Sequence, residues 1–256
     1  MSTKESYSIE KYERPSVTAD VVILAVRSEP SNASRRMLPR RTLEVVQVYR
    51  KNWPYQHCWA LPGGFSKPGE TLEETARREL YTETGMNDIY LEPLANYSAP
   101  GRDPRGWVIS SAYFALIPGD PPEVHGGDDA ELALWFPVAD VLKWQQGDPH
   151  GDNAHGQFIA FDHPEIIRDA LIAMRHKLHT TLVVKELLPD RFTLAELYQV
   201  IRVIDDSFSE ERPNFIRKLL QRRIVQETGT FDDRFSQRAA KQYRFTGDMP
   251  SLSLYQ

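Results

Sequence analysis

Two glutamates, Glu79 and Glu83, lie four residues apart shortly after a turn rich in glycine and proline. On a helix, this spacing stacks both carboxylates on one face, where their repulsion costs roughly a few tenths of a kcal/mol. A divalent cation removes that repulsion, and Mg²⁺ held by carboxylates suits phosphate substrates. The same spacing also fits a solvated acidic face with Arg77 and Arg78 as its local partners.

A helix of about 14 residues is predicted to position these carboxylates. Pro68 and Gly69 close the turn before it, Glu70 or Thr71 is the expected N-cap, and Gly85 stands at the expected C-cap. Apolar side chains recur at helical spacing on a second face, at Leu72, Ala76 and Leu80. The pattern therefore predicts one face packed against a core and another face that presents the acids.

The complete run resembles the Nudix box: a glycine, five residues, a glutamate, seven residues, and then Arg-Glu-aliphatic-x-Glu-Glu-x-Gly-aliphatic. The residues that match it in register are Gly64, Glu70, Arg78, Glu79, Leu80, Glu83, Gly85 and Met86, preceded by the usual Leu61-Pro62-Gly63 lead-in. The resemblance implies an α/β/α sandwich over residues 17–147. It also implies Mg²⁺ held by Glu79, the residue at position 82 and Glu83, with Arg78 orienting a carboxylate. Glu70 is the candidate for an assisting metal ligand.

One position departs from the Nudix pattern, because Thr82 stands where the first glutamate of the Glu-Glu pair is expected. A threonine hydroxyl is a neutral and weaker ligand for Mg²⁺ than a carboxylate. The site therefore loses one formal negative charge, and we expect at most weak or residual hydrolase activity, carried by Glu79, Glu83 and Arg78.

The composition is typical of a soluble protein of one or two domains. The chain has 256 residues, with 36 acidic and 31 basic side chains and a net charge of −5. No apolar run approaches the roughly 18 residues of a membrane span, and the first residues lack the apolar region of a signal peptide. The single cysteine, Cys58, cannot form an intrachain disulfide, and its apolar context predicts burial. We expect a cytoplasmic protein without a membrane partner.

Alternating and β-branched runs predict six strands in the first part of the chain, at residues 17–25, 43–49, 59–61, 89–97, 108–117 and 133–137. A short helix is predicted at 138–145, and residues 147–156 are predicted to form a polar linker loop. The loop at residues 27–41 carries Arg35, Arg36, Arg40 and Arg41, which are predicted to be solvated. The alternative is that Arg41, or Arg50 beyond the loop, reaches a phosphate.

A second arginine loop precedes the strand at 108–117. Arg102 and Arg105 lie between Gly101 and Gly106, and the loop resembles one in Nudix proteins that act on ADP-ribose and similar compounds. Two arginines on a stiff loop can bind a phosphate or a carboxylate through bidentate contacts, although a tight turn with surface arginines fits equally well. Glu131 is a candidate for the additional acid of Nudix enzymes, in competition with Asp128 and Asp129.

The rest of the chain is predicted to contain three helices and a β-hairpin. A connecting helix begins at 162–164 and runs to about residue 179, and a capping-box pair, Thr193 and Glu196, begins the next helix, which is predicted to end near 206. A basic helix follows at 209–223, and strands follow at 224–229 and 239–245. This order is that of a winged helix-turn-helix, whose second helix enters the major groove.

The charge of this region is the reverse of the charge of the first part. Residues 212–245 hold nine basic and three acidic side chains, a net of +6, whereas residues 1–179 have a net of −6. Such asymmetry favours a segment that faces nucleic acid, although a protein-binding winged domain with a basic surface is the alternative. The candidate contacts to DNA are Arg212, Asn214, Arg217, Lys218 and Arg222 in the helix and Lys241 and Arg244 in the hairpin.

Four segments of the chain, in this order, resemble those of the Nudix-related transcriptional regulators, including the regulators of NAD metabolism. They are the Nudix box and residues 186–197, 214–219 and 239–245. The resemblance implies a homodimeric repressor or activator on a palindromic operator, with ADP-ribose or a related nucleotide or sugar metabolite in the Nudix pocket. The alternatives are a Mg²⁺-dependent ADP-ribose pyrophosphatase and a protein-binding module. The expected division is a flexible lead at 1–16, a Nudix-like domain at 17–150, a linker and connecting helix at 151–180, and a winged-helix domain at 181–250.

Overall fold

The computed structural model of the chain describes residues 8–29, 39–126, 130–153, 156–233 and 239–247. Within these ranges, nine strands form one mixed sheet: β1 (Ser16–Glu29), β2 (Arg40–Arg50), β3 (Trp59–Ala60), β4 (Gly63–Phe65), β5 (Tyr90–Tyr97), β6 (Val108–Leu116), β7 (Ala130–Pro137), β8 (Gln145–Gln146) and β9 (Phe158–Ile159). Their order is β5-β6-β1-β2-β3-β9-β8, while β4 pairs with β1 and β7 pairs with β2. Each of the six strands predicted from the sequence is found, within a few residues of its predicted bounds.

Five helices accompany the strands in the described part of the chain: α1 (Leu72–Thr84), α2 (Val138–Val141), α3 (His163–Thr180), α4 (Leu194–Ile204) and α5 (Arg212–Gln221). The helix that carries the acids, α1, is fixed at both ends by the predicted residues. Thr71 and Glu74 form a reciprocal capping box, and Gly85 adopts a left-handed conformation, with φ of 68°, at the C-cap.

Strand β1 holds the sandwich together because it pairs with β6 in parallel and with β2 and β4 in antiparallel. Successive side chains of a strand point to opposite faces, so an uninterrupted apolar run can bury both faces. On one face Val21 and Ile23 pack in a cluster with Ala76 and Leu80 of α1. On the other face Val22, Leu24 and Val26 pack in a cluster that includes the apolar stripe of α3. The predicted α/β/α sandwich is confirmed.

The stretch after β7 differs from the sequence prediction. The predicted helix at 138–145 ends at Val141, because Gln145 and Gln146 form β8, which pairs in parallel with β9. The predicted polar linker at 147–156 is tied to the first domain, since the buried Asn153 donates from Nδ2 to the carbonyl of Gln56 at 3.0 Å. Strand β9 then pairs with β3 in the main sheet, so the chain leaves this sheet only after Ile159.

The second domain is a winged helix, as predicted. Its three-stranded sheet consists of β10 (Phe192–Thr193), β11 (Val225–Asp232) and β12 (Ala240–Phe245), in the order β10-β12-β11. The predicted capping box at Thr193 and Glu196 begins α4. Helix α5 is shorter than predicted, beginning at Arg212 and ending at Gln221.

The two domains share a core and a buried ion pair. Apolar residues of β1 and α3 belong to one cluster with Leu197, Val200 and Phe215 of the winged helix. Arg41 Nη2 lies 2.8 Å from Glu196 Oε1, and the side chains are 5% and 8% exposed. The prediction that Arg41 is a solvated or phosphate-binding arginine is therefore wrong, because its guanidinium is enclosed against α4.

Several predictions fall on residues that the structure does not describe, namely those for the lead before residue 8, for Arg35, Arg36, Asp128 and Asp129, and for residues 154–155 of the predicted linker. Of the helices within the described ranges, none combines the length and the apolar character that crossing a bilayer requires.

Candidate functional site

A cleft is built around β4. Two adjoining cavities, of 330 Å³ and 460 Å³, share Arg50, Leu61 and the three residues of β4. The larger cavity extends to Arg78, Glu79, Thr82 and Glu83, and we call this the carboxylate half. The smaller cavity extends to Asp20, Arg102, Asp103, Arg105, Phe161 and His163, and we call this the arginine half. The structure thus brings the Nudix box and the predicted arginine loop to one cleft.

In the carboxylate half, Gly64 of β4 lies directly over Glu79. A Cβ atom at Gly64 would stand 2.4 Å from Glu79 Oε1, so a side chain there would displace the carboxylate. Burial raises the pKa of Glu79, while the contact with Arg78 opposes this shift. Glu83, one turn further along α1, is 5% exposed. The buried carboxylate of Glu83 and the half-buried carboxylate of Glu79 therefore face a cavity that can admit a phosphate compound.

Thr82 lies beside these acids but presents no charge to them. Its hydroxyl donates to the backbone carbonyl of Arg78 at 2.8 Å, one turn back on the same helix. This back-bond satisfies the hydroxyl hydrogen locally. The threonine can therefore offer only a neutral oxygen lone pair to the cleft.

The guanidinium of Arg78 pairs with both Glu70 and Glu79. Arg78 Nε donates to Glu70 Oε1 at 2.9 Å, and Arg78 Nη2 donates to Glu70 Oε2 at 3.0 Å. The hydrogen bonds from Arg78 lower the pKa of Glu70 to about 2. Both oxygens of Glu70 accept from the guanidinium, and the prediction that Glu70 joins the metal ligands stays a prediction. Within the described ranges, no group of three or more His, Cys, Asp or Glu side chains is arranged to hold a metal ion.

The remaining donors still fit a weakly held hard cation. Mg²⁺ is commonly bound by one or two carboxylates, with water and substrate phosphates completing its shell. Glu79 and Glu83 would hold it from α1, and the cavity of 460 Å³ beside them leaves room for a diphosphate. When bound, the cation would polarise a phosphate oxygen and neutralise charge on the ligand.

In the arginine half, each predicted arginine is positioned by an aspartate. Arg105 donates to Asp103 through Nε at 2.9 Å and through Nη2 at 2.6 Å. Its guanidinium carbon lies 4.8 Å from the ring centre of Phe65 and 5.6 Å from that of Phe161. Arg105 keeps 31% of its side chain exposed, so this fixed guanidinium can bind an anion at low entropic cost.

Arg102 differs from Arg105 because it is almost fully buried. Its side chain is 4% exposed, and it donates to Asp162 through Nε at 2.8 Å and through Nη2 at 2.6 Å. The same Nη2 lies 3.8 Å from Asp20 Oδ2. Arg102 lines the cavity, but an anion that binds it must share it with two carboxylates.

Arg50 stands where the two halves meet. Its Nε donates to the carbonyl of Pro54 at 2.8 Å, and its guanidinium lies 5.0 Å from the ring centre of Phe161. That Arg50 contacts a phosphate stays a prediction. Its position beside both halves of the cleft is consistent with such a contact. The backbone of Glu131 lies in β7, but its side chain is outside what the structure describes.

Several residues of the arginine half were missed from the sequence. Phe161 and Trp53 supply aromatic walls, and His163 accepts at Nδ1 from the backbone N–H of Leu61 at 2.9 Å. Burial lowers the pKa of His163, which keeps its ring neutral and able to accept this bond. Asp20 was also missed, although a charged residue inside an otherwise apolar strand could have revealed it.

The predicted DNA-contacting helix, α5, presents a polar face to solvent. Arg212, Asn214 and Arg217 are exposed, whereas Phe215 and Leu219 are buried. Arg217 Nη2 donates to Asn214 Oδ1 at 3.2 Å, so the two side chains lie together on the surface. The helix therefore combines an anchored apolar side with an exposed face of Arg and Asn.

The other basic candidates carry local partners. Lys218 Nζ lies 2.7 Å from Glu210 Oε1, and Lys241 Nζ lies 3.0 Å from Glu227. Arg222 is half-buried at the C-cap of α5, and Arg244 is exposed on β12. The pair of Lys218 is half-buried, whereas the pair of Lys241 is exposed. An exposed ion pair is worth little in water, so Lys241 can exchange its partner for a phosphate.

Comparison with known proteins separates the chain into the same two parts. Residues 31–156 match the model of the NUDIX domain, and residues 184–245 match the model of the NrtR DNA-binding winged helix domain. The ADPR responsive transcriptional repressor NtrR of Acinetobacter baylyi is 28% identical over 243 residues, which are 93% of this chain and 85% of that protein. The chain belongs to the NrtR-like Nudix-related transcriptional regulators. Both motif sets read from the sequence are thereby assigned to one family.

Two further comparisons describe the NrtR-like architecture and its first half. The crystal structure of Shewanella oneidensis NrtR complexed with a 27mer DNA superposes with a TM-score of 0.67 at 27% identity, covering 90% of this chain and 93% of that one. The ADP-ribose pyrophosphatase of Methanocaldococcus jannaschii is 39% identical over 126 residues, which are 49% of this chain and 64% of that enzyme. The NrtR likeness therefore spans both domains, whereas the pyrophosphatase likeness is restricted to part of the chain.

Proposed function

We propose that this protein is a transcriptional regulator that binds operator DNA through its winged helix. Its ligand is ADP-ribose or a related nucleotide or sugar metabolite, bound in the Nudix cleft. The observation that carries the proposal is the similarity over 93% of the chain to an ADPR responsive repressor, because it includes the winged helix as well as the cleft. The division proposed above assigns residues 17–150 to the ligand and 181–250 to DNA, joined by 151–180.

The cleft residues suit a nucleoside diphosphate. The guanidinium of Arg105, fixed between Phe65 and Phe161, would pair with a phosphate, and Arg50 and Arg102 would add positive charge beside it. The exposed ring of Trp53 at the rim could stack on a base, since aromatic faces accept any planar heterocycle. Mg²⁺ at Glu79 and Glu83 would neutralise the remaining diphosphate charge.

The winged helix suits a duplex. Arg212, Asn214 and Arg217 on α5 are side-chain types that bind phosphates and base edges, and α5 corresponds to the helix that enters the major groove. Lys218, Arg222, Lys241 and Arg244 would contact the backbone around it. We further propose a homodimer on a palindromic operator in the cytoplasm, since paired recognition helices read symmetric half-sites.

The test is selection of bound duplexes from a random pool, with and without ADP-ribose, followed by affinity measurements on the selected operator. We expect operator affinity to fall steeply with salt, and the triple variant Arg217→Ala, Lys218→Ala, Arg222→Ala to lose at least about tenfold. ADP-ribose is expected to change operator affinity by a factor of about 5 to 150.

The matched control is Arg77→Ala, Lys143→Ala, Arg168→Ala, which removes the same charge from exposed positions outside the winged helix. This control should keep the operator affinity of the natural chain. Equal losses in both triple variants, or no loss in either, would exclude reading of DNA by α5.

A second candidate function is Mg²⁺-dependent hydrolysis of ADP-ribose, favoured by Glu79 and Glu83, which line one cavity, and by the 39% identity to a pyrophosphatase. Release of AMP from ADP-ribose in the presence of Mg²⁺ tests it. Rapid release that disappears in Glu83→Gln would assign enzymatic turnover to the cleft, and both activities can coexist in one chain.

A further inference from the structure

Helix α3 connects the arginine half of the cleft with the winged helix. It runs for 18 residues, from His163 to Thr180, which corresponds to roughly 27 Å of helix. Polar contacts fix its N-terminal end to the cleft and its C-terminal end to the winged helix, and apolar packing fixes its middle.

The N-terminal end of α3 is attached to the cleft through an ion pair. Asp162 occupies the N-cap position but caps no backbone N–H with its side chain. Its carboxylate instead accepts both Nε and Nη2 of Arg102, at 2.8 and 2.6 Å. The next residue, His163, accepts the N–H of Leu61, two residues before β4. The start of α3 therefore moves with the cleft wall.

The C-terminal end of α3 holds the turn between α4 and α5. Arg175 Nε donates to the carbonyl of Ile204, the last residue of α4, at 3.0 Å. His179 Nε2 lies 3.3 Å from Asp205 Oδ2, and Asp205 Oδ1 accepts the backbone N–H of Ser207 at 3.1 Å. A displacement of α3 must therefore move the residues that orient α5.

Between its ends, α3 is packed as a rigid body. Ile166, Ile167, Ala170, Met174 and Leu178 are fully buried in the cluster shared by the Nudix sheet and the winged helix. Close-packed interiors transmit displacement because they compress little.

We propose that Arg102 senses the bound metabolite by pairing with it in place of Asp162, and that α3 transmits this change of partner to the winged helix. An anionic group of the ligand competes with Asp162 for the Nε and Nη2 edge of Arg102, the same edge that pairs bidentately with phosphate. When the ligand takes this edge, the N-terminus of α3 loses its ion pair with Arg102 and keeps the hydrogen bond between His163 and Leu61, and the α4–α5 turn is released. Asp162 is a positioning residue in this scheme, and the inference rests on the proposed function.

The competition explains why ligand and DNA can be coupled at all. A ligand shifts an equilibrium only through unequal affinity for the two states. The state with Arg102 paired to Asp162 binds the anion weakly, and the state with this pair broken binds it strongly. By linkage, DNA that favours the paired state must weaken ligand binding by the same factor.

The central experiment uses Asp162→Asn in the full-length chain, with ADP-ribose as the probe. Binding is measured by calorimetry, and hydrogen exchange is followed at residues 204–208 with and without the ligand. We expect Asp162→Asn to bind ADP-ribose more tightly, on the order of 5-fold or more, because the competing charge is gone. The ligand-dependent change in exchange at 204–208 should disappear, and the effect of ADP-ribose on operator affinity should fall to within about twofold of none.

A variant at the opposite end of α3 tests the same path without touching the cleft. Arg175→Met keeps the alkyl stem but removes the bond to Ile204. It should bind ADP-ribose as the natural chain does, while the exchange response at 204–208 is lost. If Asp162→Asn does not fold, this variant decides the proposal.

The matched control is Glu44→Gln, which neutralises another buried carboxylate paired with an arginine, Arg27, between β1 and β2. It should leave the ligand response unchanged, which separates α3 from general loosening of the sheet. The proposal is overturned if Asp162→Asn or Arg175→Met keeps the natural exchange response, or if all three variants lose it alike.

Failure of the inference and failure of the proposed function give different results. If the natural chain binds ADP-ribose with no change in exchange at 204–208, the path through α3 is wrong while the ligand stands. If calorimetry detects no binding of ADP-ribose by the natural chain, the proposed ligand is wrong and this inference falls with it.

Discussion

Thr82 decides how much charge the carboxylate half carries. Its hydroxyl donates to the carbonyl of Arg78, whereas a glutamate at the same place would extend a carboxylate toward Glu79 and Glu83. Three carboxylates bind a divalent cation more tightly than two, at the expense of greater repulsion when no cation is bound. We therefore expect the natural residue to favour ligand binding over turnover.

We expect Thr82→Glu to accelerate Mg²⁺-dependent release of AMP from ADP-ribose by at least about tenfold, since each 1.4 kcal/mol of additional transition-state stabilisation corresponds to one factor of ten. The measurement is AMP formation at saturating Mg²⁺ for both chains. Adding Glu83→Gln to Thr82→Glu should abolish the gain. Unchanged release in Thr82→Glu would show that residue 82 does not limit the chemistry.

A second prediction at the residue scale concerns the pH dependence of stability. Arg78 holds the pKa of Glu70 at about 2, below its ordinary value of 4.5. Because the pKa is lower in the folded state, the ion pair stabilises the fold above pH 4.5, and this contribution is lost as the pH falls toward 2. Urea unfolding between pH 5 and pH 2.5 should show this loss.

The control for this prediction is a double-mutant cycle of Glu70 and Arg78. Glu70→Gln and Arg78→Gln should each reduce the loss of stability on acidification, and the double variant should add little to either. If the stability of Glu70→Gln depends on pH as that of the natural chain does, the assignment of the pKa shift to this pair is contradicted.

At the scale of single elements, the capping box of α4 has two tasks. Thr193 Oγ1 accepts the N–H of Glu196 at 3.1 Å, and Glu196 Oε2 accepts the N–H of Thr193 at 3.3 Å. The other oxygen of Glu196 pairs with Arg41 of the Nudix sheet. The start of α4 is thus fixed both within its own domain and from the other one.

Thr193→Ala is expected to reduce the free energy of unfolding by about 1 kcal/mol, because one N-cap acceptor is lost. Urea denaturation followed by far-UV circular dichroism measures this change. Thr193→Ser, which keeps the hydroxyl, should retain most of the stability. Equal losses in the alanine and serine variants would point to the methyl group rather than to the cap.

At the scale of the whole molecule, Arg41 and Glu196 form the buried ion pair between domains. Their side chains are 5% and 8% exposed, and Gln199 Nε2 donates to the carbonyl of Pro39 at 3.0 Å beside them. Removing one partner of a buried pair leaves the other charge without compensation.

Arg41→Met should therefore destabilise the protein by about 3–5 kcal/mol, seen as a lower midpoint in urea. The double variant Arg41→Met, Glu196→Gln should be more stable than Arg41→Met alone, since the uncompensated carboxylate is gone. Additive losses in the double variant would contradict a direct interaction between the two side chains.

The sequence by itself determined the features that depend on neighbouring residues. The period of two in the strands, the period of 3.6 in α1, and the caps at Gly85 and Thr193 are all local, and each was found as predicted. Of the two N-cap candidates for α1, Thr71 is the cap. The Nudix box has fixed spacing, so its placement on α1 with Glu79 and Glu83 facing one cavity also followed from the sequence.

Tertiary structure alone decided which charges meet. Arg102 and Asp162 lie 60 positions apart and Arg41 and Glu196 lie 155 positions apart, so no local period could indicate either pair. Likewise, residues 145–159 contain no strong strand pattern, and β8 and β9 form only because the edge beside β3 offers hydrogen-bond partners. The sequence specified the elements through local preferences, whereas burial and long-range pairing decided which arginines remain available to a ligand.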